Sequence, residues 1–112
     1  LTHDANVRFG ADFQAEYGRF PSLYASQGYD TANLLASALD SAGINDQDAF
    51  RSALKKADFA STRGDFSFDT NNHPIQDIYV REVIKEGDVF TNKIIATGLK
   101  SRSNAYVDEC KM

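Results

Sequence analysis

Apolar residues recur at helical spacing through the first half of the chain and alternate through much of the second. Phe9, Phe13 and Tyr17 step by four, with Ala5 on the same face. Arg8, Asp12 and Glu16 form a polar stripe beside them. This pattern predicts an amphipathic helix over 4–17, with Gly18 placed to cap its end. Ala25, Tyr29, Ala32, Ala36 and Leu39 step by four and three, which predicts a second helix over 21–41, ended by Gly43. Pro21 suits the first turn of that helix, where its missing N–H has no partner to lose. Asn45 is expected to cap a third helix. Asp46 and Asp48 then fall in its first turn, near the positive end of the dipole, and Phe50, Ala53, Leu54 and Ala57 form its apolar face.

The period then changes. Phe66 and Phe68 alternate with Asp65, Ser67 and Asp69, as a short strand does. Residues 69–74 are a turn-rich break. Two β-branched and aromatic runs follow, 75–84 and 89–97, on either side of a Gly87-Asp88 turn. Ile78 and Val80 are expected on one face of the first run, Tyr79 and Arg81 on the other. Residues 101–109 are expected to form a short terminal helix with Ala105 and Tyr106 as its contacts. Three helices, three strands and a short helix, segregated in that order, read as α+β if the chain is an independent domain. There is no internal repeat, low-complexity tract or linker.

Composition narrows the function classes. The chain has 112 residues, of which 42% are hydrophobic, enough for one domain with a core and unlike a disordered segment. The net charge is −4 and the pI about 5.0, and the basic residues are scattered, so no nucleic-acid partner is expected. No apolar run approaches the roughly 20 residues of a membrane span. Cys110 is the single cysteine, so no disulfide can form within the chain. The first residues, LTHDANVRFG, have neither the basic start nor the apolar core of an export signal. If the protein is exported, that signal is expected upstream.

Catalytic and metal chemistry find no footing. His3 and His73 lie far apart, and no Cys or His spacing matches a zinc site. Asp69-x-Asn71 has Pro74 where a calcium loop needs glycine and Val80 where it needs an acid. Ser26 is not in a G-x-S-x-G elbow, and no phosphate-cradling glycine motif is present. No catalytic residue, metal or cofactor is therefore expected, and the protein is not read as an enzyme. What remains is recognition. Tyr24, Ser26 and Gln27 lie at or near the entry of the second helix, where unpaired backbone N–H groups favour anionic ligand groups. Tyr24 can stack its ring on an apolar ligand group and offer its hydroxyl to a polar one. Tyr29 falls on the apolar stripe and is read as core. Asp30 is read as a charge near the helix end.

The chain resembles a known family from that entry onward and before it. The matching features are Phe13-x3-Tyr17-Gly18-x2-Pro21 and Ala25-x-Gln27-Gly28-Tyr29-Asp30-x-Ala32-x-Leu34-Leu35. They continue with Phe59-x4-Gly64-x-Phe66-x-Phe68-Asp69 and His73-Pro74-Ile75-Gln76-Asp77-Ile78-Tyr79-Val80-Arg81-Glu82-Val83. The ending Ala105-Tyr106-x2-Glu109-Cys110-Lys111-Met112 completes the set. In this order they resemble the carboxy-terminal portion of the type I periplasmic solute-binding proteins of branched-chain amino-acid-type ABC transporters. Members bind amino acids, amides and small organic acids, and are considerably longer than this chain.

The resemblance implies an α/β fold, of which this chain would be a carboxy-terminal fragment of a two-lobed protein. Residues 1–58 would be the helical part of one lobe. Residues 59–112 would supply strands, a hinge crossing and the terminal helix. An aromatic residue just before the helix lines the interlobe cleft in that family, which maps to Tyr24; Ser26 and Gln27 follow by proximity. The implied role is the substrate-binding component of a transporter, which captures a small solute outside the cytoplasm, in the periplasm, and delivers it to a membrane permease. Two other readings stay open: the ligand-binding sensory module of a receptor, and an independent α+β interaction domain. Helices that the family covers with a sheet from elsewhere would be bare here, so the isolated chain is expected to self-associate as a dimer.

Overall fold

The computed structural model describes residues 1–65 and 67–110. The Phe66 position of the expected alternation lies outside them, as do Lys111 and Met112. Two compact units divide the chain, Leu1–Phe68 and Asp69–Met112.

The first unit opens with α1 (Asp4–Tyr17), as its period predicts. Gly18 adopts the left-handed conformation, φ +65°, and its N–H donates to the Gln14 carbonyl. A residue with a Cβ would be strained there. The aromatic ladder is real: ring centroids lie 5.7 Å apart for Phe9 and Phe13 and 4.5 Å for Phe13 and Tyr17. Only Phe9 of the three is buried, because it also stacks on Tyr29 of the next helix at 4.8 Å.

The second helix, α2 (Leu23–Ala42), begins two residues later than its sequence suggests. Ser22 is its N-cap, and the Ser22 hydroxyl accepts the N–H of Ala25. Pro21 therefore stands just outside the helix rather than in its first turn. A hydroxyl cap satisfies an orphan donor and typically contributes about 1 kcal/mol, which outweighs proline's tolerance for the first turn. The buried face also differs from expectation. Asp30 and Ala38 are buried and Ser26, Leu34 and Ser37 half-buried, whereas Ala32, Ala36 and Leu39 are exposed. Counting apolar residues placed the stripe about one position off, because the inward face contains a carboxylate and hydroxyls. Polar side chains within α2 fold back on its own carbonyls: Thr31 on Gln27, Asn33 on Tyr29, Ser37 on Leu34 and Ser41 on Ala38.

The third helix is α3 (Gln47–Lys56). Asp46, not Asn45, is its cap: one carboxylate oxygen accepts the N–H groups of Asp48 and Ala49, each at 3.0 Å. A carboxylate is the stronger choice at the positive end of the dipole, and Lys55 and Lys56 answer it at the other end. The expected face faces inward, with Ala53 buried and Phe50, Leu54 and Ala57 half-buried. The short strand β1 (Ser67–Phe68) ends this unit.

The second unit is a long antiparallel hairpin of β2 (Pro74–Glu86) and β3 (Val89–Arg102). The turn is two residues long, with Glu86 opposite Val89. Gly87 takes the first central position with φ +61°, the conformation such a tight turn demands there. The ladder slips at Gln76/Ile78, Ile78/Tyr79 and Val80/Arg81. Exposure alternates as expected through Ile78, Tyr79 and Val80, with Tyr79 half-buried between two exposed residues, but the alternation is lost on either side, where Pro74 to Asp77 are all half-buried and Val80 to Val83 all exposed. Near the open end, Asp77 accepts the N–H of Ser101 at 2.9 Å, where Ser101 is held at φ +44°. Both strands run past their expected limits. β3 continues through Arg102, and the terminal helix shortens to one 3-10 turn, Val107–Glu109.

Candidate functional site

The entry of α2 presents its three candidate residues differently. Tyr24 is 81% exposed and Gln27 is exposed, both in the first two turns. Ser26 is half-buried, and its hydroxyl shares a 2.7 Å hydrogen bond with that of Thr62. The helix entry is less open to an anion than its sequence suggests. The Ser22 hydroxyl takes the Ala25 N–H, one of the donors that would otherwise be unpaired there. Tyr24 and Gln27 thus form an outward pair, and Ser26 belongs to a polar cluster behind them.

That cluster centres on Asp30, which is 2% exposed. Ser61 donates its hydroxyl to one carboxylate oxygen at 2.6 Å, and Arg63 Nε reaches the same oxygen at 3.3 Å. The backbone N–H of Thr62 donates to the other at 2.9 Å. A charge so buried is tolerated only when paired and hydrogen-bonded, and both conditions hold. Asp30 is therefore an internal anchor rather than a helix-end charge. The donors come from one tight turn, closed by the Gly64 N–H on the Ser61 carbonyl. Gly64 sits at φ +88° with the His3 ring over it, so a Cβ there would strain the backbone and require the His3 ring to move. The Ser61 hydroxyl also accepts the N–H of Arg63. Nothing in the spacing of Ser61, Thr62 and Arg63 joins them to a residue some thirty positions earlier, which is why sequence reading missed them. The available signal was an acidic residue in mid-helix among small residues, paired later with a hydroxyl-rich Ser-Thr-Arg-Gly turn.

Two open grooves flank this unit. One, of about 430 Å³, is lined by Asp4, Arg8, Tyr29, Asn33 and Phe59 among others. The other, of about 500 Å³, is lined by His3, Asp58, Ser61 and Asp65 among others. Tyr24, Ser26 and Gln27 line neither. Tyr29, read as core, stands at the wall of the first groove, 37% exposed, with one ring face on Phe9.

Among the described residues, no group of three or more His, Cys, Asp or Glu side chains could hold a metal ion. No described helix is long and apolar enough to cross a membrane. Cys110 is exposed as a free thiol. In the second unit, Asp69 accepts the Ser103 hydroxyl and the Thr70 N–H, which together hold its carboxyl below the usual carboxylate range. Asn104 takes the Tyr106 N–H on its oxygen and turns its amide nitrogen to His73 Nδ1 at 3.2 Å.

No curated protein matches the chain. Among solved structures, it is similar to the solute-binding protein of an ABC transporter from R. palustris, determined in complex with benzoate. The two share 27% identity with a TM-score of 0.83, over 100% of this chain and 30% of that one. The chain thus spans under a third of the structure it matches, as the resemblance to one part of a longer protein implies. The family model described as periplasmic binding protein matches residues 1–88. The chain belongs to the periplasmic binding protein family.

Proposed function

We propose that this chain is part of the substrate-binding component of an ABC transporter, with the entry of α2 forming one wall of the solute cleft. The observation that carries the reading is Tyr24, a large amphipathic ring 81% exposed at a helix entry, in a chain similar throughout to a benzoate-bound solute-binding protein. A ring so placed suits a small organic solute: its face packs the apolar part and its hydroxyl meets a polar group. Of the solutes considered, amino acid, amide or small organic acid, the benzoate complex of the similar protein favours the organic acid. Gln27 offers amide donors beside Tyr24, and Ser26 a hydroxyl behind it. Capture would take place outside the cytoplasm, in the periplasm, with a membrane permease as the receiving partner. Solute binding would shift the two lobes toward a closed state.

Calorimetry on the intact two-lobed protein, with benzoate and leucine as probes, tests this reading. Benzoate should bind and Tyr24→Ala should weaken it by about 1–3 kcal/mol, as for a packed aromatic contact. Unchanged affinity in that variant removes Tyr24 from the cleft. The isolated 112 residues should bind far more weakly, since a cleft needs both walls.

The isolated chain should also self-associate as a dimer or larger. Val83, Phe90 and Ile95 of the hairpin are 68%, 74% and 56% exposed, and the ladder ends in strand edges able to pair. Sedimentation at micromolar concentration decides this; a monomer of 12.4 kDa would overturn it.

A further inference from the structure

Hydroxyl side chains inside α2 follow one habit. Thr31, Ser37 and Ser41 each turn back onto a carbonyl three or four residues earlier. Ser26 breaks it, because its hydroxyl is engaged by Thr62 at 2.7 Å, from a turn that follows α3. Thr62 is completely buried and makes a second bond to the same helix. Its backbone N–H donates to Asp30 at 2.9 Å. Ser26 and Asp30 are four residues apart, so they share one helix face on consecutive turns. A single residue thus clips two turns of α2, one through its backbone and one through its side chain.

We infer that Thr62 is a positioning residue for Ser26, with Asp30 fixing Thr62 so that its hydroxyl orients Ser26 at the proposed solute-binding end of α2. The inference rests on the proposed reading for the word solute-binding; the orientation of Ser26 rests on geometry alone. Asp30 supplies the rigidity. Its carboxylate holds Thr62 through the backbone and Ser61 and Arg63 on either side. The Thr62 side chain is therefore set before Ser26 meets it. Without the Thr62 hydroxyl, the nearest habit for Ser26 is that of its neighbours: a turn toward the Ser22 carbonyl, which already accepts the Ser26 N–H.

Two substitutions in the intact protein separate positioning from packing. Thr62→Val keeps the shape and removes the hydroxyl. Thr62→Ser keeps the hydroxyl and removes a buried methyl. Crystal structures should show Ser26 turned away in Thr62→Val and in its present place in Thr62→Ser. Benzoate titrations should show affinity reduced about three- to tenfold in Thr62→Val, the range for one lost hydrogen bond, and unchanged in Thr62→Ser. Melting should show the opposite order, with Thr62→Ser the less stable variant. Ser26 unmoved in Thr62→Val overturns the inference, as does equal loss of affinity in both variants or in neither. Tyr24→Ala, run in parallel, isolates the proposed function. If it weakens benzoate binding while Thr62→Val does not, only the positioning role fails. If the protein binds no benzoate, the functional reading fails and the rotamer of Ser26 decides the inference.

Discussion

The two units of the chain hold their shapes by different means. Among the described residues of the first, the buried set is Phe9, Ala38 and Ala53 together with Asp30, Ser61 and Thr62. Small apolar side chains let the helices approach, and a paired carboxylate joins α2 to the turn after α3. In the second unit the buried described residue is Asn71, whose side chain accepts the His73 N–H within a tight turn. There the hairpin ladder and local side-chain bonds to the backbone carry the structure, and large apolar residues face outward. The same residue type therefore has different worth in the two units. Phe9 in the first is core at 5% exposed, whereas Phe90 in the hairpin is 74% exposed.

The largest expected effect comes from the carboxylate. Asp30→Ala would leave the Ser61 hydroxyl, the Thr62 N–H and the Arg63 guanidinium without their shared acceptor. Breaking a buried pair from one side should cost about 3–5 kcal/mol in the first unit. Urea unfolding followed by the helical circular dichroism signal measures it. A loss below about 1 kcal/mol, the value of an ordinary net hydrogen bond, would mean that water replaces the carboxylate and that packing alone holds the turn.

A pair of matched truncations sharpens the contrast. Phe9→Ala removes a 5% exposed ring that touches Phe13 and Tyr29, and should cost about 3 kcal/mol or more. Phe90→Ala removes a 74% exposed ring and should change the stability of a monomeric chain by about 0.5 kcal/mol or less. Similar losses in the two variants would show that the hairpin face is covered, and concentration dependence of the Phe90→Ala effect would identify another copy as the cover.

This contrast also explains what the sequence made legible. Element order and type were readable because Phe9, Phe13 and Tyr17 keep helical period and because the 75–84 and 89–97 runs are β-branched about Gly87. Gly18 and Gly43 marked helix ends correctly, each with its N–H on the preceding helical turn. Helix starts were read less well, since Pro21 and Asn45 compete with adjacent Ser22 and Asp46, whose side chains reach two or three residues ahead. The inward face of α2 was illegible by hydrophobic counting, because its centre is Asp30 and burial there depends on donors from a distant turn. Tyr24 was singled out by its place at the helix entry and by resemblance, and it is 81% exposed; the link from Ser26 to Thr62 is tertiary and left no local trace.

A smaller effect is expected at the hairpin turn. Gly87 has φ +61°, with no other group within 4 Å of where a Cβ would stand. Gly87→Ala therefore meets no clash and feels backbone strain alone, about 1–2 kcal/mol for a left-handed alanine. If the second unit depends on its ladder, amide exchange should quicken first at Glu86 and Val89, which pair beside the turn, and leave α2 unaffected. Equal quickening in both units would mean that they unfold as one, which would break the comparison.

The smallest effects are in the titration of the hairpin unit, and they run in opposite directions at its two perturbed groups. Burial raises the Tyr79 hydroxyl's pKa, with the Asp77 charge adding to it, so the neutral phenol is the form the fold favours. Its contribution is complete below the ordinary tyrosine value and is lost as pH rises through the higher folded value. Asp69 is the mirror case. The Ser103 hydroxyl, followed by the Thr70 N–H, lowers its pKa, so the fold favours the carboxylate. That contribution is complete above the ordinary carboxylate value and is lost as pH falls through the lower folded value. Ser103→Ala should move the Asp69 titration up toward the ordinary value but not fully to it, because the Thr70 N–H remains. Carboxyl-carbon NMR titration reads the shift at a single site. The acid limb of unfolding in the second unit should then begin at higher pH. An unmoved Asp69 would mean that the Ser103 hydroxyl does not hold the carboxylate in solution, and that the segment after β3 is not fastened to the 69–73 turn.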